Sequence, residues 1–224
     1  MLEEHNLVEY QNVTIERNGA DLLKNISFSV SKGDFVTLEG VVGSGKSTLL
    51  RSIYADVPIT QGRARVLDFE LKGLPFRKVS KLRSQLGLVF QNYLLFDNKT
   101  VFDNLKFVLD SLDFKTDGNQ RDYIMSVLQK TGLGDKAQVF PHNLSGGERQ
   151  TVAIARALVH QPKLILADEP TGNLDQESAA HIADLLHQSV KSGAAVIVAT
   201  HDEPVFAGLQ HTGYKISGND IVRL

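Results

Sequence analysis

The first thirty residues carry an alternating pattern of apolar and polar positions. LVEYQNVTI (residues 7–15) is rich in strand-forming residues, and ISFSV (residues 26–30) alternates strictly, which is the period of a half-buried strand. Turn-forming residues lie between the two runs. The pattern therefore predicts antiparallel strands at the start of the chain.

Four later segments are apolar on both faces, as expected for strands of a parallel sheet that is covered by helices. They are FVTLE (35–39), LGLVF (86–90), KLILAD (163–168) and AAVIVAT (194–200). Patterns with the helical period lie between them, such as STLLRSIY after the first and TVAIARALV before the third. The alternation of the two patterns predicts an α/β fold.

The stretch from 101 to 140 reads instead as consecutive helices. VFDNLKFVLDSL is followed by a pattern that runs through DYIMSVLQKTG, where Gly132 can serve as the C-terminal cap. We interpret this stretch as a small helical lobe inserted between strands. At the end of the chain, YKISGNDIVRL places SGND between alternating residues and predicts a terminal hairpin.

Composition narrows the class of protein. A chain of 224 residues with 42% hydrophobic and 22% charged residues is typical of a globular protein, and we expect one domain with two lobes. The formal net charge of −2 gives no basic field for nucleic acid. No dense Lys/Arg run would bind anionic lipid by itself, although local patches stay open.

Several features favour an intracellular location. Cysteine is absent, which excludes disulfide and thiolate chemistry and fits a reducing cytoplasm. The longest apolar runs, such as AAVIVA, fall well short of the roughly 20 residues that cross a bilayer. The first residues, MLEEHNLVEY, are acidic and do not read as a secretory signal.

One loop carries a recognisable phosphate-binding pattern. GVVGSGKS (40–47) fits G-x-x-x-x-G-K-[ST] and lies between a predicted strand and a predicted helix, as that motif requires. In this reading, the backbone N–H groups of 43–46 cradle phosphates, Lys46 reaches the β- and γ-oxygens, and Ser47 supplies a hydroxyl to Mg²⁺. The alternative is a glycine-rich turn with a surface lysine.

Four polar side chains follow other strands of the predicted sheet. Asp168 and Glu169 end LILADE, Gln91 follows LGLVF, and His201 follows AAVIVAT, so all four are expected at the edge where ligands bind in open α/β sheets. One carboxylate can approach Mg²⁺ while the other orients and deprotonates an attacking water. Taken alone, the two acids also fit a solvated strand end.

A second stretch, LSGGER (144–149), also predicts an anion site. A capping serine and two glycines at the start of a helix present backbone N–H groups and the positive end of the helix dipole. One chain thus carries two sites suited to phosphate.

Taken in order, these stretches resemble the ATP-binding-cassette (ABC) ATPases over essentially the whole chain. GVVGSGKST is similar to the Walker A loop, LVFQN to the Q-loop, LSGGE to the family signature, LILADEP to Walker B, TGNLD to the D-loop and ATHD to the His switch. The resemblance implies hydrolysis of ATP with Mg²⁺. It also answers why there are two phosphate sites, because in this family the signature of one subunit closes over the ATP held by the other.

The resemblance implies a role for each motif residue. The catalytic residues are expected to be Glu169, His201, Gln91 and Lys46. The nucleotide is expected to bind Gly40, Val41, Val42, Gly43, Ser44, Gly45, Lys46, Ser47 and Thr48. The signature residues that act on the partner's nucleotide are Leu144, Ser145, Gly146, Gly147 and Glu148, the D-loop residue is Asp175, and the metal is expected at Ser47, Gln91 and Asp168.

The family also implies an architecture. We expect an α/β P-loop NTPase (ABC ATPase) core with a parallel sheet, an N-terminal antiparallel β subdomain and an inserted α-helical lobe. The core lobe is expected to comprise 1–91 and 160–224, and the helical lobe with the signature about 92–159. ATP is expected to hold two copies together as a homodimer.

Two positions depart from the family pattern. An early aromatic residue usually stacks on adenine, whereas the matching region VTIERNG offers Glu16 or Arg17; an Arg17 guanidinium stacked on the base is our hypothesis. Thr151 stands where the family usually has arginine, and we expect no loss of catalysis from it.

Within the family, QNYLLFDNKTVFDNLKFVL (91–109) and TGNLD are similar to the FtsE cell-division ATPases. That resemblance implies an integral, FtsX-like membrane partner, no nucleic-acid partner, no membrane span in the chain, and a peripheral location on the cytoplasmic face of the membrane. The alternative is the lipoprotein-release or macrolide-export ATPases, which share TGNLD. For Tyr93, Leu94, Leu95 and Phe96 the interpretations are core packing or, where exposed, a groove for a partner helix.

Other classes of ATPase fit less well. A DNA-repair or chromosome ATPase would show heptads or paired cysteines that split the cassette, and a translation-factor ATPase would carry two cassettes. A nucleotide-binding module without turnover would lack a base, whereas Glu169 is present.

Overall fold

Two β-sheets form the framework of this chain. The computed structural model describes residues 6–17, 20–172, 174–201 and 203–224, with all side chains in these ranges except those of 17, 20, 21 and 203. The larger sheet has six strands: β3 (Phe35–Glu39), β6 (Leu86–Val89), β7 (Leu164–Asp168), β8 (Ala195–Thr200), β9 (Thr212–Ser217) and β10 (Asp220–Arg223). Its order is β10-β9-β3-β8-β7-β6, with only β10 antiparallel to its neighbour, so the predicted parallel sheet and terminal hairpin are confirmed.

The smaller sheet is antiparallel and is formed largely by the first part of the chain. It contains β1 (Asn6–Arg17), β2 (Ala20–Ser31), β4 (Gln61–Val66) and β5 (Phe69–Glu70), in the order β2-β1-β4-β5. The predicted N-terminal antiparallel subdomain is therefore confirmed.

Six α-helices pack around the sheets in the described part of the chain. They are α1 (Lys46–Ile53), α2 (Phe76–Arg83), α3 (Val101–Ser111), α4 (Gln120–Lys130), α5 (Gly146–Leu158) and α6 (Gln176–Lys191). Gly132 follows α4 with φ of +76°, as a C-terminal capping glycine does. None of these helices is both long and apolar enough to cross a bilayer.

The central strands are apolar on both faces because each face supplies a different hydrophobic core. In β7, Leu164 and Leu166 join the core shared with the antiparallel sheet and α1, while Ile165 and Ala167 join a second core beneath α5 and α6. Successive side chains of a strand point to opposite faces, so both sets are buried. This arrangement explains the continuous apolar runs in the sequence.

A third hydrophobic core lies within residues 95–159. Helices α3, α4 and α5 contribute its buried members, among them Leu105, Leu109, Ile124, Leu128 and Val152. The signature residue Leu144 belongs to the same core. The predicted boundaries of the two lobes, 1–91 with 160–224 and about 92–159, stay a prediction.

Three elements were not predicted by the hydrophobic pattern: β4, β5 and α2. In β4, QGRARV, only Ala64 and Val66 are buried, because β4 is covered on one face alone. In α2 only Leu82 is buried. Elements with so few apolar anchors give a weak periodic signal, and tertiary pairing decides their conformation.

The loop between β6 and α3 is held by two polar side chains from helices. Arg156 of α5 is buried and donates hydrogen bonds to the carbonyl oxygens of Tyr93 (2.7 Å) and Leu94, both of which have positive φ. Asn104 of α3, fully buried, accepts from the Phe96 N–H and donates to the Phe96, Lys99 and Thr100 carbonyls. Burial lowers the pKa of Arg156. The helix that begins with the signature thus fixes the backbone that follows Gln91.

We predict that Arg156→Met loosens this loop. Methionine fills a similar volume but donates no hydrogen bond, so the two carbonyls lose their partner and the free energy of unfolding falls by about 2–4 kcal/mol. Chemical denaturation and limited proteolysis within residues 91–99 measure the effect. The matched control Arg121→Met, at an exposed position of α4, is expected to change stability by less than about 0.5 kcal/mol. Equal cleavage in both variants would contradict the role of Arg156.

Candidate nucleotide site

The loop that follows β3 can only be built from glycine at its key positions. Gly40, Gly43 and Gly45 have φ of +148°, +83° and +109°. A Cβ on Gly40 would lie 2.6 Å from the carbonyl oxygen of Ile216, so a larger residue would clash with backbone. Gly45 is the N-terminal cap of α1, and the first N–H groups of that helix have no partner within it. The loop therefore has the backbone path of a phosphate cradle.

Lys46 is the first residue of α1 and is buried, with 5% of its side chain exposed. Its ammonium donates to the carbonyl oxygens of Gly40 (2.7 Å) and Val41 (3.3 Å) and lies 3.6 Å from Oε1 of Glu169. The amine is thus held inside the curve of the loop that residues 40–45 make. A buried cation at this place favours a bound anion.

Ser47 and Asp168 meet across the end of the sheet. The Ser47 hydroxyl donates to Oδ1 of Asp168 at 2.8 Å. Burial raises the pKa of the Asp168 carboxyl, the Glu169 charge adds to this increase, and the Ser47 hydrogen bond opposes it. A half-buried carboxylate beside a hydroxyl, at a helix N-terminus, provides two oxygen ligands suited to a hard cation.

Glu169 and His201, 32 residues apart in sequence, form a direct pair. Their side chains meet at 2.7 Å between Oε2 and Nδ1, and the His201 backbone N–H donates to the same oxygen at 3.3 Å. Glu169 has φ of +47° and its N–H donates to the carbonyl of Ala199 on β8. The carboxylate is 10% exposed, so its two oxygens are held between Lys46 and His201.

Gln91 lies two residues beyond β6, and its side chain is exposed. Val89 pairs with Ala167, and Asp168 pairs with Ala199. Gln91, Asp168 and His201 therefore lie at or just beyond the carboxyl ends of neighbouring strands. The structure thus brings together the predicted residues of this edge. Their catalytic and metal-binding roles stay predictions.

The signature segment begins α5 with a complete capping box. The Ser145 hydroxyl accepts from the Glu148 N–H, and Oε2 of Glu148 accepts from the Ser145 N–H at 2.8 Å. That backbone hydrogen bond, helped by Lys136 at 3.3 Å, lowers the pKa of Glu148. Among the described residues, no hydrogen bond or ion pair joins the signature to the loop at 40–47.

The D-loop is tied to the signature through Ser178, which sequence reasoning missed. Asp175 caps α6 by accepting from the N–H and hydroxyl of Ser178, and these bonds lower its pKa. A Cβ on Gly147 would lie 2.6 Å from the Ser178 hydroxyl and 3.0 Å from the Ser178 Cβ, so a larger residue at this signature position would require Ser178 to shift. The D-x-x-S spacing, a helix-start signal, could have identified Ser178.

The Tyr93 ring packs against the first turn of α5. Its hydroxyl lies 3.6 Å from the place a Cβ on Gly146 would occupy, and the Arg149 guanidinium lies 5.7 Å from its ring centre. Leu94, by contrast, is 57% exposed, so the core reading of this residue was wrong: the left-handed backbone that Arg156 holds turns it to the surface. Phe96 and Phe107, 36% and 42% exposed, contact edge to face. We call Leu94, Phe96 and Phe107 the exposed apolar patch.

Of the two departures from the family pattern, the structure describes Thr151, which lies in α5. Thr151 is buried and donates to the carbonyl of Gly147, so it satisfies its own hydroxyl inside α5. The side chain of Arg17 lies outside what the structure describes, as do Asn173 of TGNLD and Asp202 of ATHD. The stacking hypothesis for Arg17 stays a prediction.

Comparison with known proteins identifies this arrangement. Residues 23–172 match the family model described as ABC transporter. The cell division ATP-binding protein FtsE of Mycobacterium tuberculosis is 43% identical over 201 residues, which cover 90% of this chain and 87% of that protein. The macrolide export ATP-binding/permease protein MacB of Aggregatibacter actinomycetemcomitans is 40% identical over 192 residues, which cover 85% of this chain but 30% of that protein.

Solved structures agree with the sequence comparison. The dimeric structure of MJ0796, a bacterial ABC transporter cassette, is 31% identical with a TM-score of 0.85, covering 96% of this chain and 97% of that one. A dimeric post-hydrolysis state of MJ0796 bound to ADP and Pi matches with the same TM-score at 32% identity, again over 96% and 97% of the two chains. The chain belongs to the ABC transporter family, as an FtsE-like ABC ATPase.

Proposed function

We propose that this chain is the ATP-hydrolysing subunit of a cell-division membrane complex, and that its site is completed only when two copies close around ATP. The observation that carries the proposal is the Glu169 carboxylate, held between Lys46 and His201 at the end of β7. The FtsE relative, 43% identical and matched over most of both chains, supports the cell-division assignment.

The groups around Glu169 suit the hydrolysis of a phosphoanhydride. Lys46 and the N–H groups at the start of α1 bind the phosphate oxygens and stabilise the negative charge of the transition state. Glu169 orients a water molecule and accepts its proton as the water oxygen attacks the γ-phosphorus. The bond from the γ-phosphorus to the β-phosphate oxygen breaks, and ADP and phosphate are formed. His201 fixes the Glu169 carboxylate through the 2.7 Å hydrogen bond.

The metal ligands proposed here are Ser47 and Asp168, with Gln91 from the neighbouring strand end. The 2.8 Å hydrogen bond between the first two puts two hard oxygen atoms side by side, and burial of Asp168 disfavours its charge unless a cation balances it. Mg²⁺ commonly takes one or two protein oxygens and completes its shell with phosphate and water. When bound, Mg²⁺ would supply charge neutralisation to the phosphates.

The second phosphate site suits the γ-phosphate of a partner copy. The N-terminus of α5 offers backbone N–H groups and a positive helix end, and Gly146 and Gly147 keep side chains out of the approach. Similarity to the dimeric MJ0796 cassette supports such a head-to-tail pair. ATP would then hold the two copies together, and loss of the γ-phosphate would release them.

The exposed apolar patch is the surface we assign to an integral, FtsX-like membrane partner. Leu94, Phe96 and Phe107 expose apolar area next to the backbone that Arg156 fixes. When two copies close around ATP, a movement of the signature helix α5 would therefore also move this surface. In this proposal the chain is peripheral to the cytoplasmic face of the membrane. A macrolide-type exporter is the second candidate, favoured by the MacB similarity alone.

We predict that Glu169→Gln abolishes most turnover without loss of nucleotide binding. The amide keeps the shape of the carboxylate but cannot take a proton, so phosphate release is expected to fall by about 10²–10⁴-fold. Mg-ATP is expected to bind as before, and the ATP-bound dimer to accumulate in sedimentation experiments. Glu177→Gln, an exposed position in the first turn of α6, is the matched control. Wild-type turnover in Glu169→Gln would contradict the assignment.

We predict that Phe96→Glu separates partner binding from ATP binding. A charge in the exposed apolar patch opposes docking of an apolar helix, whereas Phe96 lies outside the phosphate loop. Co-purification with the membrane partner from detergent-solubilised membranes is expected to be lost, and ATP affinity to be retained. Tyr93 is a poorer probe because its ring contacts the signature helix. Val222→Glu, at an exposed site of β10, is the control, and co-purification of Phe96→Glu at the wild-type level would overturn the proposed surface.

Depletion of the chain in its own cells distinguishes the two candidate functions. We expect a block in cell division with unchanged macrolide resistance, because the proposed complex acts on division. Increased macrolide sensitivity with normal division would instead support the exporter. Microscopy of the depleted cells and a growth assay in macrolide provide the two measurements.

A further inference from the structure

Residues 71–85, LKGLPFRKVSKLRSQ, form a strongly cationic segment in a chain of net charge −2. They contain five lysines and arginines and neither aspartate nor glutamate. The segment includes α2, which the hydrophobic pattern did not predict. Nothing in the nucleotide chemistry above uses it.

The helix is anchored on one side and open on the other. Leu82 is buried in the core beneath the antiparallel sheet, whereas Phe76 is 87% exposed at the first position of α2. At about 100° per residue, Arg77 and Lys81 lie about 40° apart, at roughly 140° and 100° around the helix from Leu82, and Phe76 lies about 120° from Leu82 on the other flank. Arg77 and Lys81 therefore form one exposed cationic edge, and the Phe76 ring is exposed on the flank next to it.

Four of the five cations have no carboxylate partner. Lys72, Arg77, Lys78 and Lys81 are exposed, and no ion pair joins any of them to another residue in the ranges that the structure describes. Arg83 differs, because it donates to the Tyr54 and Ala55 carbonyls and lies 3.5 Å from Asp56. The helix is thus fixed by Leu82 and Arg83 while its other charges remain available.

The position of α2 connects this face to the rest of the molecule. The Arg83 guanidinium lies 5.6 Å from the centre of the Tyr54 ring, and Tyr54 contacts Phe90 edge to face. Gln91 follows Phe90 directly and begins the loop that carries the exposed apolar patch. The cationic helix is thus linked, through Tyr54 and Phe90, to the start of the loop that carries the exposed apolar patch.

We propose that the exposed side chains of α2, namely Phe76, Arg77, Lys78 and Lys81, together with the nearby Lys72, bind directly to anionic lipid headgroups. Unpaired cations are attracted to the negative surface of a membrane, and an exposed aromatic ring next to them inserts at the level of the headgroups. Lipid is favoured over nucleic acid as the bound anion because the proposed membrane partner would hold the chain next to a lipid surface. This lipid contact is additional to the protein partner and does not depend on that partner's identity.

Such a patch gives weak, salt-sensitive binding. The attraction falls off within a Debye length, so raising the salt to about 0.5 M is expected to release the protein. Loss of the two central charges is expected to lower the partition coefficient by about 30-fold.

The test measures co-sedimentation of the full chain with vesicles. We expect binding to phosphatidylglycerol–phosphatidylcholine vesicles and none to phosphatidylcholine alone. Arg77→Gln/Lys81→Gln and, separately, Phe76→Ser are expected to lose binding. The matched control Lys130→Gln/Lys191→Gln removes the same charge from the last turns of α4 and α6 and is expected to bind as wild type. Phosphate release from Mg-ATP, unchanged in every variant, separates this test from the proposed ATPase function.

Three outcomes would overturn the lipid assignment. The first is equal binding, or no binding, to charged and neutral vesicles by the wild type. The second is an equal loss of vesicle binding in the control Lys130→Gln/Lys191→Gln, which would show that binding depends on the net charge of the chain and not on α2. The third is binding of a labelled oligonucleotide that is stronger than vesicle binding and is lost in the same variants, which would assign the face to nucleic acid.

Discussion

Strands β3, β8, β7 and β6 are parallel, and the way they pair determines where the proposed catalytic and binding residues of this protein lie. Each strand ends at the same edge of the sheet, where a polar or glycine residue ends the strand or follows within two residues: Gly40, His201, Asp168 and Gln91. Because the strands are buried on both faces, a slip in register would expose apolar residues and is opposed by two hydrophobic cores at once. The hydrogen bonds from Ser47 to Asp168 and between Glu169 and His201 are consequences of that register.

The same edge explains why, in our proposal, the site of one copy is incomplete. The phosphate loop, the carboxylates and His201 would surround a nucleotide on one side, while the N-terminus of α5 presents a second set of groups suited to phosphate. The capping box and the contact of Gly147 with Ser178 fix that second set rigidly. Arg156 then links it to the loop beyond Gln91 through two hydrogen bonds. In our proposal, a movement of α5 is transmitted through this link to the exposed apolar patch. Nucleotide binding and partner docking are thus mechanically connected in our account.

Local signals predicted much of this arrangement, and long-range pairing supplied the remainder. The buried strands and the glycine-rich loop could be predicted because a continuous apolar run and a G-x-x-x-x-G-K-S pattern each have one simple structural solution. The 2.7 Å contact between Glu169 and His201 could not be predicted from the sequence, because it depends on how β7 pairs with β8. The exposure of Leu94 was also unpredictable, because a distant arginine imposes its backbone conformation. Helix α2 could not be predicted either, because its one buried residue, Leu82, does not give the repeated apolar positions by which a helix is recognised in a sequence.

The central claim is that two copies share each nucleotide, and mixing two inactive variants tests it most directly. Lys46→Ala lacks the phosphate-binding amine, and Ser145→Arg blocks the α5 N-terminus, so each alone is expected to release little phosphate. In a mixed dimer, one site combines the intact lysine of one copy with the intact serine of the other, and an equal mixture should recover up to about a quarter of the wild-type rate. A mixture no more active than the two variants measured separately, or a fully active Ser145→Arg, would contradict the shared site.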